Sequence, residues 1–311
     1  MSSAHDDDQE SQQVSTTTAI HDHAKDRISN DAQSLEIDDE QDDEILKMLT
    51  PSVLASLRAT PLLASSWHFV AAATFSVCNR PEATPIIYRY AIEHDAHLAS
   101  DPPPADDDDK LSAPPSPSGS THSFGSEDAS QLVDVTGCDP AVVHTISQKM
   151  REALLKGAAL GGLPKTINSL IQLRNATPPA FREEHVLRTE AQLSQSAELA
   201  RGKSFWDQVY GKVSRRVLSQ MNTAYPDLAQ YALDHVYSPL LSYTGVLSPK
   251  ETSYVVIACL IPQDVNPQLK GHLKGGLNNG ATKEELMSVR DLSMRICELC
   301  EVGWKEEPAK L

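Results

Sequence analysis

A single histidine, His272, lies in the segment NPQLKGHLKGGLNNGATKEEL, residues 266–286. An imidazole titrates near neutral pH, so it can accept and return a proton during catalysis. Helical spacing places His272 at the edge of the stripe Leu269, Leu273 and Leu277, where a histidine also serves as a packed structural residue. The residue types therefore leave two interpretations open, a proton-transfer residue and a structural one.

A second candidate is the pair Cys297 and Cys300 near the end of the last predicted helix. Such a pair can supply a nucleophilic and a resolving thiol if one of the two pKa values is lowered. The spacing places Cys300 on the apolar stripe of this helix and Cys297 at its edge, and buried cysteine also packs as a small hydrophobe. One pair provides two of the four ligands of a zinc site, and no second pair accompanies it, so we predict no metal.

Helical periodicity predicts the elements that position these residues, including five consecutive helices between residues 204 and 300. A capping box over Ser248–Glu251 and another over Thr282–Glu285 mark two helix starts. Gly280, which tolerates a positive φ angle, ends the helix that carries His272. The first capping box offers one interpretation of Glu251, as a residue that satisfies backbone donors.

The pattern predicts an all-α fold, because no segment shows sustained strand alternation. Residues 1–44 are polar, acidic and aperiodic, so we predict a disordered tail. Residues 45–180 form an N-terminal helical half, interrupted by a disordered insertion at 99–139 that is rich in Pro, Ser and Asp. Residues 181–311 form a C-terminal helical half.

The formal net charge of −16 is concentrated in the segments predicted to be disordered. Residues 1–50 hold 14 acidic residues against three basic ones, and residues 101–139 hold nine against one. The remaining chain is near neutral and has no basic patch, which argues against a nucleic-acid partner. The acidic segments are either solvated tails or arms that recruit a partner.

Cysteine usage and the apolar segments indicate the compartment. Five cysteines are an odd and sparse set, unlike a secreted disulfide framework. The first residues are acidic, unlike a signal or transit peptide. The longest apolar run, Val255–Ile261, is too short to span a bilayer. We predict a soluble cytoplasmic protein without a membrane partner.

The segment ETSYVVIACLIPQDVNPQLKGHLKGGLNNGATKEELMSV, which begins at Glu251, resembles the carboxymuconolactone decarboxylase family and its alkylhydroperoxidase D-like relatives. The resemblance covers roughly residues 203–303. Residues 151–173, REALLKGAALGGLPKTINSLIQL, are more weakly similar to the family's terminal segment. The resemblance implies an alkylhydroperoxidase D-like helical bundle of two related halves that assembles into a homo-oligomer.

Glu251 and His272 match the acidic and histidine positions of this family. The resemblance thus implies a Glu/His proton relay that acts on a small organic acid or lactone. The redox branch of the family has a C-x-x-C a few residues before the histidine, but Val265 and Gln268 occupy those positions here. No motif for a bound cofactor is present.

Three hypotheses follow. The first is a carboxymuconolactone decarboxylase-like enzyme with a small-molecule substrate and Glu251 and His272 as catalytic residues. The second is a peroxiredoxin-type thiol peroxidase that uses Cys297 and Cys300. The third is a non-catalytic helical oligomer whose acidic arms recruit partners.

Overall fold

A computed structural model of the chain describes residues 45, 47–97, 132–190 and 193–311, without the side chains of residues 189 and 190. Contacts group residues 43–311 into one compact unit. The predicted tail and most of the predicted insertion lie outside the described residues. The all-α prediction is confirmed, because the described part consists of helices, turns and one isolated bridge between His97 and Cys138.

Helices of the first half are α1 (Pro51–Arg58), α2 (Trp67–Val77), α3 (Ala83–Asp95), α4 (Pro140–Gly161) and α5 (Leu163–Ala176). Those that follow are α6 (Leu187–Glu190), α7 (Gln195–Tyr210), α8 (Ser214–Ala224), α9 (Pro226–Tyr231), α10 (Pro249–Leu260), α11 (Asn266–Asn278) and α12 (Lys283–Leu299). A π-helix, Ala232–Leu241, continues α9. Short 3-10 turns lie at Pro179–Phe181, Gly211–Val213 and Ile261–Gln263. Across these described stretches, no helix is both long enough and apolar enough to cross a membrane.

Two helices, α2 and α10, lie at the centre of the hydrophobic core. The sequence of α2, WHFVAAATFSV, is apolar around its whole circumference, and every one of its residues is buried. Helix α2 packs against α4, α10 and α12, and α10 also packs against α4 and α12. Between α2 and α12, the Thr74 hydroxyl donates to Ser293 Oγ at 3.2 Å. Helices of both halves therefore share one core.

Local sequence rules explain the helix ends around the candidate site. Both predicted capping boxes form, over Ser248–Glu251 and over Thr282–Glu285. Gly280 has a φ angle of 90°, a conformation that disfavours any side chain, and it follows the end of α11. The turn between α11 and α12 is therefore specified by short-range interactions.

Residues 132–139, the end of the predicted insertion, are packed and require a correction to the predicted boundary. The Val133 N–H donates to Ala176 O at 3.0 Å, and the Val133 and Cys138 side chains are buried in the core. Asp139 accepts a hydrogen bond from Ala141 N and so caps α4. The chain is ordered before α4 because these apolar side chains lie in the shared core.

The ammonium group of Lys156 on α4 is fully buried. It donates to three main-chain oxygens at 2.8–3.1 Å, those of Leu240, Leu241 and Tyr243. The carboxylate of Glu152, one turn earlier, lies 3.4 Å away. Loss of hydration on burial lowers the pKa of Lys156 to about 8, although Glu152 opposes this shift.

Two arginines, Arg188 and Arg201, lie with Lys156 at the C-terminal end of the π-helix. Arg188 pairs with both oxygens of Glu152, at 2.7 and 3.2 Å, and donates to Pro239 O at 3.0 Å. Arg201 on α7 donates to Ser238 O at 2.9 Å. The carbonyls at a helix C-terminus lack intrahelical partners and carry partial negative charge, so cations stabilise this end.

We predict that Lys156→Met lowers the free energy of unfolding by about 3 kcal/mol, because three carbonyls lose their donor and Glu152 loses a countercharge. Urea titration measures the change. The matched control is Lys203→Met, which breaks an exposed ion pair with Asp207 and should cost less than about 1 kcal/mol. Equal losses in the two variants would contradict the role of Lys156.

Candidate active site

Helices α7 and α11 pack closely and bring Tyr210 to His272. A Cβ atom on Gly275 would lie 2.8 Å from the Val209 side chain, so only glycine allows this approach. Beside it, Asn278 Nδ2 donates to Val209 O at 2.9 Å. The two contacts fix the relative position of the helices, and Tyr210 and His272 therefore face each other.

A chain of hydroxyl groups ends at the imidazole. The Tyr237 hydroxyl donates to the Tyr210 hydroxyl at 3.1 Å. The Tyr210 oxygen lies 3.4 Å from His272 Nε2. Because Tyr210 accepts from Tyr237, its own hydrogen is free to point at Nε2, which then acts as the acceptor. Trp206 covers the two tyrosines, with ring centroids 4.3 and 4.6 Å from theirs.

The protein around the two hydroxyl groups and the imidazole favours their neutral forms. Loss of hydration lowers the pKa of His272 to about 4, so the imidazole is uncharged at neutral pH. Burial also raises the pKa of Tyr210 and raises that of Tyr237 well above its usual value. The site therefore holds a neutral base beside two neutral hydroxyl groups.

A small cavity of about 10 Å³ borders His272. Its walls are Phe205, Val209, Tyr237, Leu241, Thr252, Ser253, Val256, His272 and Asn279. Asn279 Nδ2 donates to Ser253 Oγ at 2.9 Å, but Asn279 Oδ1 is buried without a hydrogen-bond partner. The cavity is close to the size that holds one water molecule. The His272 side chain, which lies beside the cavity, is only partly buried.

The carboxylate of Glu251 is occupied by other partners. Its Oε1 accepts from Lys149 Nζ at 2.6 Å, and its Oε2 accepts from the main chain and hydroxyl of Ser248 at 2.9 and 2.8 Å. Burial by itself raises the pKa of Glu251, but Lys149 and Ser248 outweigh it and the net shift is downward. Glu251 is therefore ionised, caps α10 and joins it to α4.

Glu251 and His272 thus belong to different hydrogen-bond networks, and no hydrogen bond joins the two side chains. Their joint role as a proton relay stays a prediction.

A buried histidine, His68 on α2, did not emerge from the sequence patterns. It is 3 % exposed, and neither ring nitrogen has a hydrogen-bond partner. Burial lowers its pKa to about 4, against the opposing charges of Asp95 and Glu251. A histidine inside an otherwise apolar helix was the signal that could have revealed it.

The two sequence-predicted cysteines lie at the C-terminal end of α12. Cys297 is fully buried and Cys300 is partly exposed, the reverse of the predicted arrangement, because Cys300 already caps the end of α12. The neighbouring Cys297 and burial raise the pKa of the Cys78 thiol, whereas Cys300 opposes the shift. Within the described residues, no group of three or more His, Cys, Asp or Glu side chains is arranged to hold a metal ion.

The family resemblance is confirmed, since the model of the carboxymuconolactone decarboxylase family matches residues 226–301. The matched stretch begins at α9 and includes both Glu251 and His272. No solved structure matches the chain significantly.

Two yeast proteins are similar to this chain. Peroxisomal protein 2 of Saccharomyces cerevisiae is 35 % identical over 288 residues, 81 % of this chain and 94 % of that protein. Peroxisomal protein 2 of Schizosaccharomyces pombe is 47 % identical over 161 residues, 52 % of this chain and 74 % of that protein. The prediction of a cytoplasmic protein is wrong, because the names of these relatives point to the peroxisome.

We predict that His68 makes the fold sensitive to acid. Its pKa is about 4 in the folded chain and about 6.5 in the unfolded chain, so between these values only the unfolded chain gains the proton and stability falls as the pH falls. His68→Phe should reduce the loss of unfolding free energy between pH 7 and pH 5 by about 2 kcal/mol. Urea titrations at both pH values measure it, with the exposed His144→Gln as control. An unchanged pH dependence in His68→Phe would contradict this assignment.

Proposed function

We propose that this chain is an acid–base catalyst acting on a small organic acid or lactone. Residues 226–301 match the carboxymuconolactone decarboxylase family, and the chain as a whole belongs to the family of peroxisomal protein 2. The observation that carries the proposal is the position of His272 Nε2 at the end of the Tyr237–Tyr210 hydroxyl chain. A base that stays uncharged at neutral pH can accept a proton from a carbon acid.

In this proposal His272 and Tyr210 act together on the substrate. His272 Nε2 accepts a proton next to the substrate carbonyl, and the Tyr210 hydroxyl turns to donate to the oxygen on which negative charge develops. Tyr237 donates to Tyr210 and so stabilises the charge that Tyr210 takes up. The unpartnered Asn279 Oδ1 accepts a hydrogen bond from a substrate hydroxyl or from a water in the cavity.

Glu251 takes a positioning role in this scheme. Both of its oxygens are engaged by Lys149 and Ser248, so it orients the first turn of α10, which carries the cavity residues Thr252 and Ser253. The cavity holds about one water molecule. The substrate therefore binds at the partly exposed edge of His272, with only its reacting group directed inward.

We place this activity in the peroxisome, on the names of the two yeast relatives. Residues 309–311, Ala-Lys-Leu, are also similar to the Ser-Lys-Leu address of peroxisomal proteins. A fluorescent protein fused ahead of the chain should appear in peroxisomes, and a diffuse signal would contradict the placement.

We also propose a homo-oligomer that assembles through α9. Three apolar residues at intervals of three, Tyr225, Leu228 and Tyr231, are 61 %, 43 % and 60 % exposed. Tyr225 directly precedes α9, whereas Leu228 and Tyr231 lie on it. Exposed apolar and aromatic side chains close together on a surface are typical of protein interfaces. These residues lie at the start of the family-matched stretch.

The double variant Tyr225→Ser/Tyr231→Ser should therefore have a lower mass in solution than wild type, as measured by light scattering. Leu163→Ser/Ile167→Ser is the matched control, because it removes equally exposed apolar residues from α5. A monomeric wild type, or loss of assembly only in the control, would rule out the α9 interface.

We expect His272→Gln to lower turnover of carboxymuconolactone by about 100-fold or more, because it removes the proton acceptor. Tyr210→Phe should also lower turnover, since it removes the donor but keeps the ring. His144→Gln, at an exposed position of α4, is the matched control and should retain wild-type turnover. Steady-state assays on the purified variants His272→Gln, Tyr210→Phe and His144→Gln measure the changes. Full activity in His272→Gln, or an inactive wild type, would contradict the proposal.

A further inference from the structure

A cavity of about 280 Å³ lies among α4, α5 and the segment that leads into α6. Helix α4 contributes Gln148, Arg151 and Leu155 to its walls, and α5 contributes Leu170. The volume is near the lower end of the range for pockets that bind small molecules, which is about 300 Å³. None of the residues in its walls borders the smaller cavity beside His272. The described part of the chain therefore has a second place where a small molecule can bind.

Apolar side chains form much of the wall. Besides Leu155 and Leu170, the walls include Val186, Leu187 and Val246. Val186 is 69 % exposed, so the cavity reaches the protein surface on that side. Contact with such walls removes apolar ligand surface from water, which stabilises a complex by about 25 cal/mol for each Å². A ligand that fills the cavity therefore needs an apolar part.

Two charged residues of the wall already have partners. Arg188 donates to both oxygens of Glu152, at 2.7 and 3.2 Å, and to Pro239 O at 3.0 Å. Glu152 also lies 3.4 Å from the ammonium group of Lys156. These contacts satisfy both side chains, so neither Arg188 nor Glu152 needs a ligand to balance its charge.

Arg151 differs from them, because one of its terminal nitrogens has no acceptor. Its Nη1 donates to Phe181 O at 2.9 Å, whereas its Nη2 is buried without a hydrogen-bond partner among the described residues. Buried donors in folded proteins are almost always paired, and a guanidinium keeps its charge on burial. Glu183 also lies in the wall, but its Oε1 accepts from His185 N at 3.4 Å. Arg151 Nη2 is therefore available to a ligand in the cavity.

We propose that this cavity binds a monocarboxylic acid with an apolar chain of medium length. The carboxylate accepts a hydrogen bond from Arg151 Nη2, and the chain packs against Leu155, Leu170 and Val246. A hydrogen bond between two charged groups is stronger than one between neutral groups, and it supplies the missing partner of the guanidinium. A neutral hydrocarbon would leave Nη2 unpaired, and an organic cation would meet a positive charge there.

This inference does not depend on the proposed function, because it uses neither His272 nor Tyr210. An inactive wild type in the lactone assay would leave the binding site unaffected. Failure to bind a carboxylic acid here would likewise leave the proposed proton transfer unaffected. The two proposals can therefore fail separately.

Isothermal titration calorimetry of the full-length chain tests the site, with sodium octanoate as the probe. Arg151→Met removes the guanidinium but keeps an unbranched side chain. Arg216→Met is the matched control, because it makes the same change at an exposed position outside the cavity. Leu170→Trp keeps Arg151 and narrows the cavity. Circular dichroism checks that each variant is folded.

A second comparison uses wild type alone. 1-Octanol has an apolar chain like that of octanoate but no charge, so it leaves the guanidinium without a carboxylate partner. It should bind at least about tenfold more weakly than octanoate. This comparison tests the role of the charge without any substitution.

We expect the Kd of octanoate to rise by about tenfold or more in Arg151→Met and in Leu170→Trp. It should keep its wild-type value in Arg216→Met and in His272→Gln. Three outcomes would overturn the proposal: no saturable binding to wild type, equal affinity for 1-octanol, or a wild-type Kd in folded Arg151→Met or Leu170→Trp. Loss of binding in His272→Gln would assign octanoate to the other cavity and would overturn it as well.

Discussion

The buried ammonium group of Lys156 is the constraint on which the second half of the structure depends. It occupies the carbonyl end of the π-helix, and Arg188 and Arg201 occupy the remaining acceptors there. A helix that ends against the core without water needs such donors, since an unpaired buried carbonyl is costly. Glu152 balances part of this positive charge.

The geometry of the candidate site depends on this arrangement. Tyr237 lies on the π-helix, Tyr210 ends α7, and His272 lies on α11, so the hydroxyl chain forms only when all three helices are in register. Arg201 ties α7 to the π-helix, and Gly275 allows α11 to approach α7. The proton-transfer chemistry that we propose therefore depends on cation–carbonyl contacts outside the site.

Contacts between the N-terminal and C-terminal halves also provide partners for polar side chains of the second half. Lys149 of the first half pairs with Glu251 of the second, and the Thr74 hydroxyl of the first half donates to Ser293 of the second. The family-matched residues 226–301 are thus not a self-contained site. Their electrostatics are completed by the other half of the chain.

The sequence by itself determined what depends on short-range rules: the all-α class, both capping boxes, the glycine that ends α11 and the family resemblance. Only the tertiary structure decided which partners the polar groups have. Three contacting pairs are distant in sequence, and no periodicity relates their members: Lys149 with Glu251, Tyr210 with His272 and Thr74 with Ser293. Helical spacing tells which face a residue occupies, but packing between helices decides what lies opposite that face.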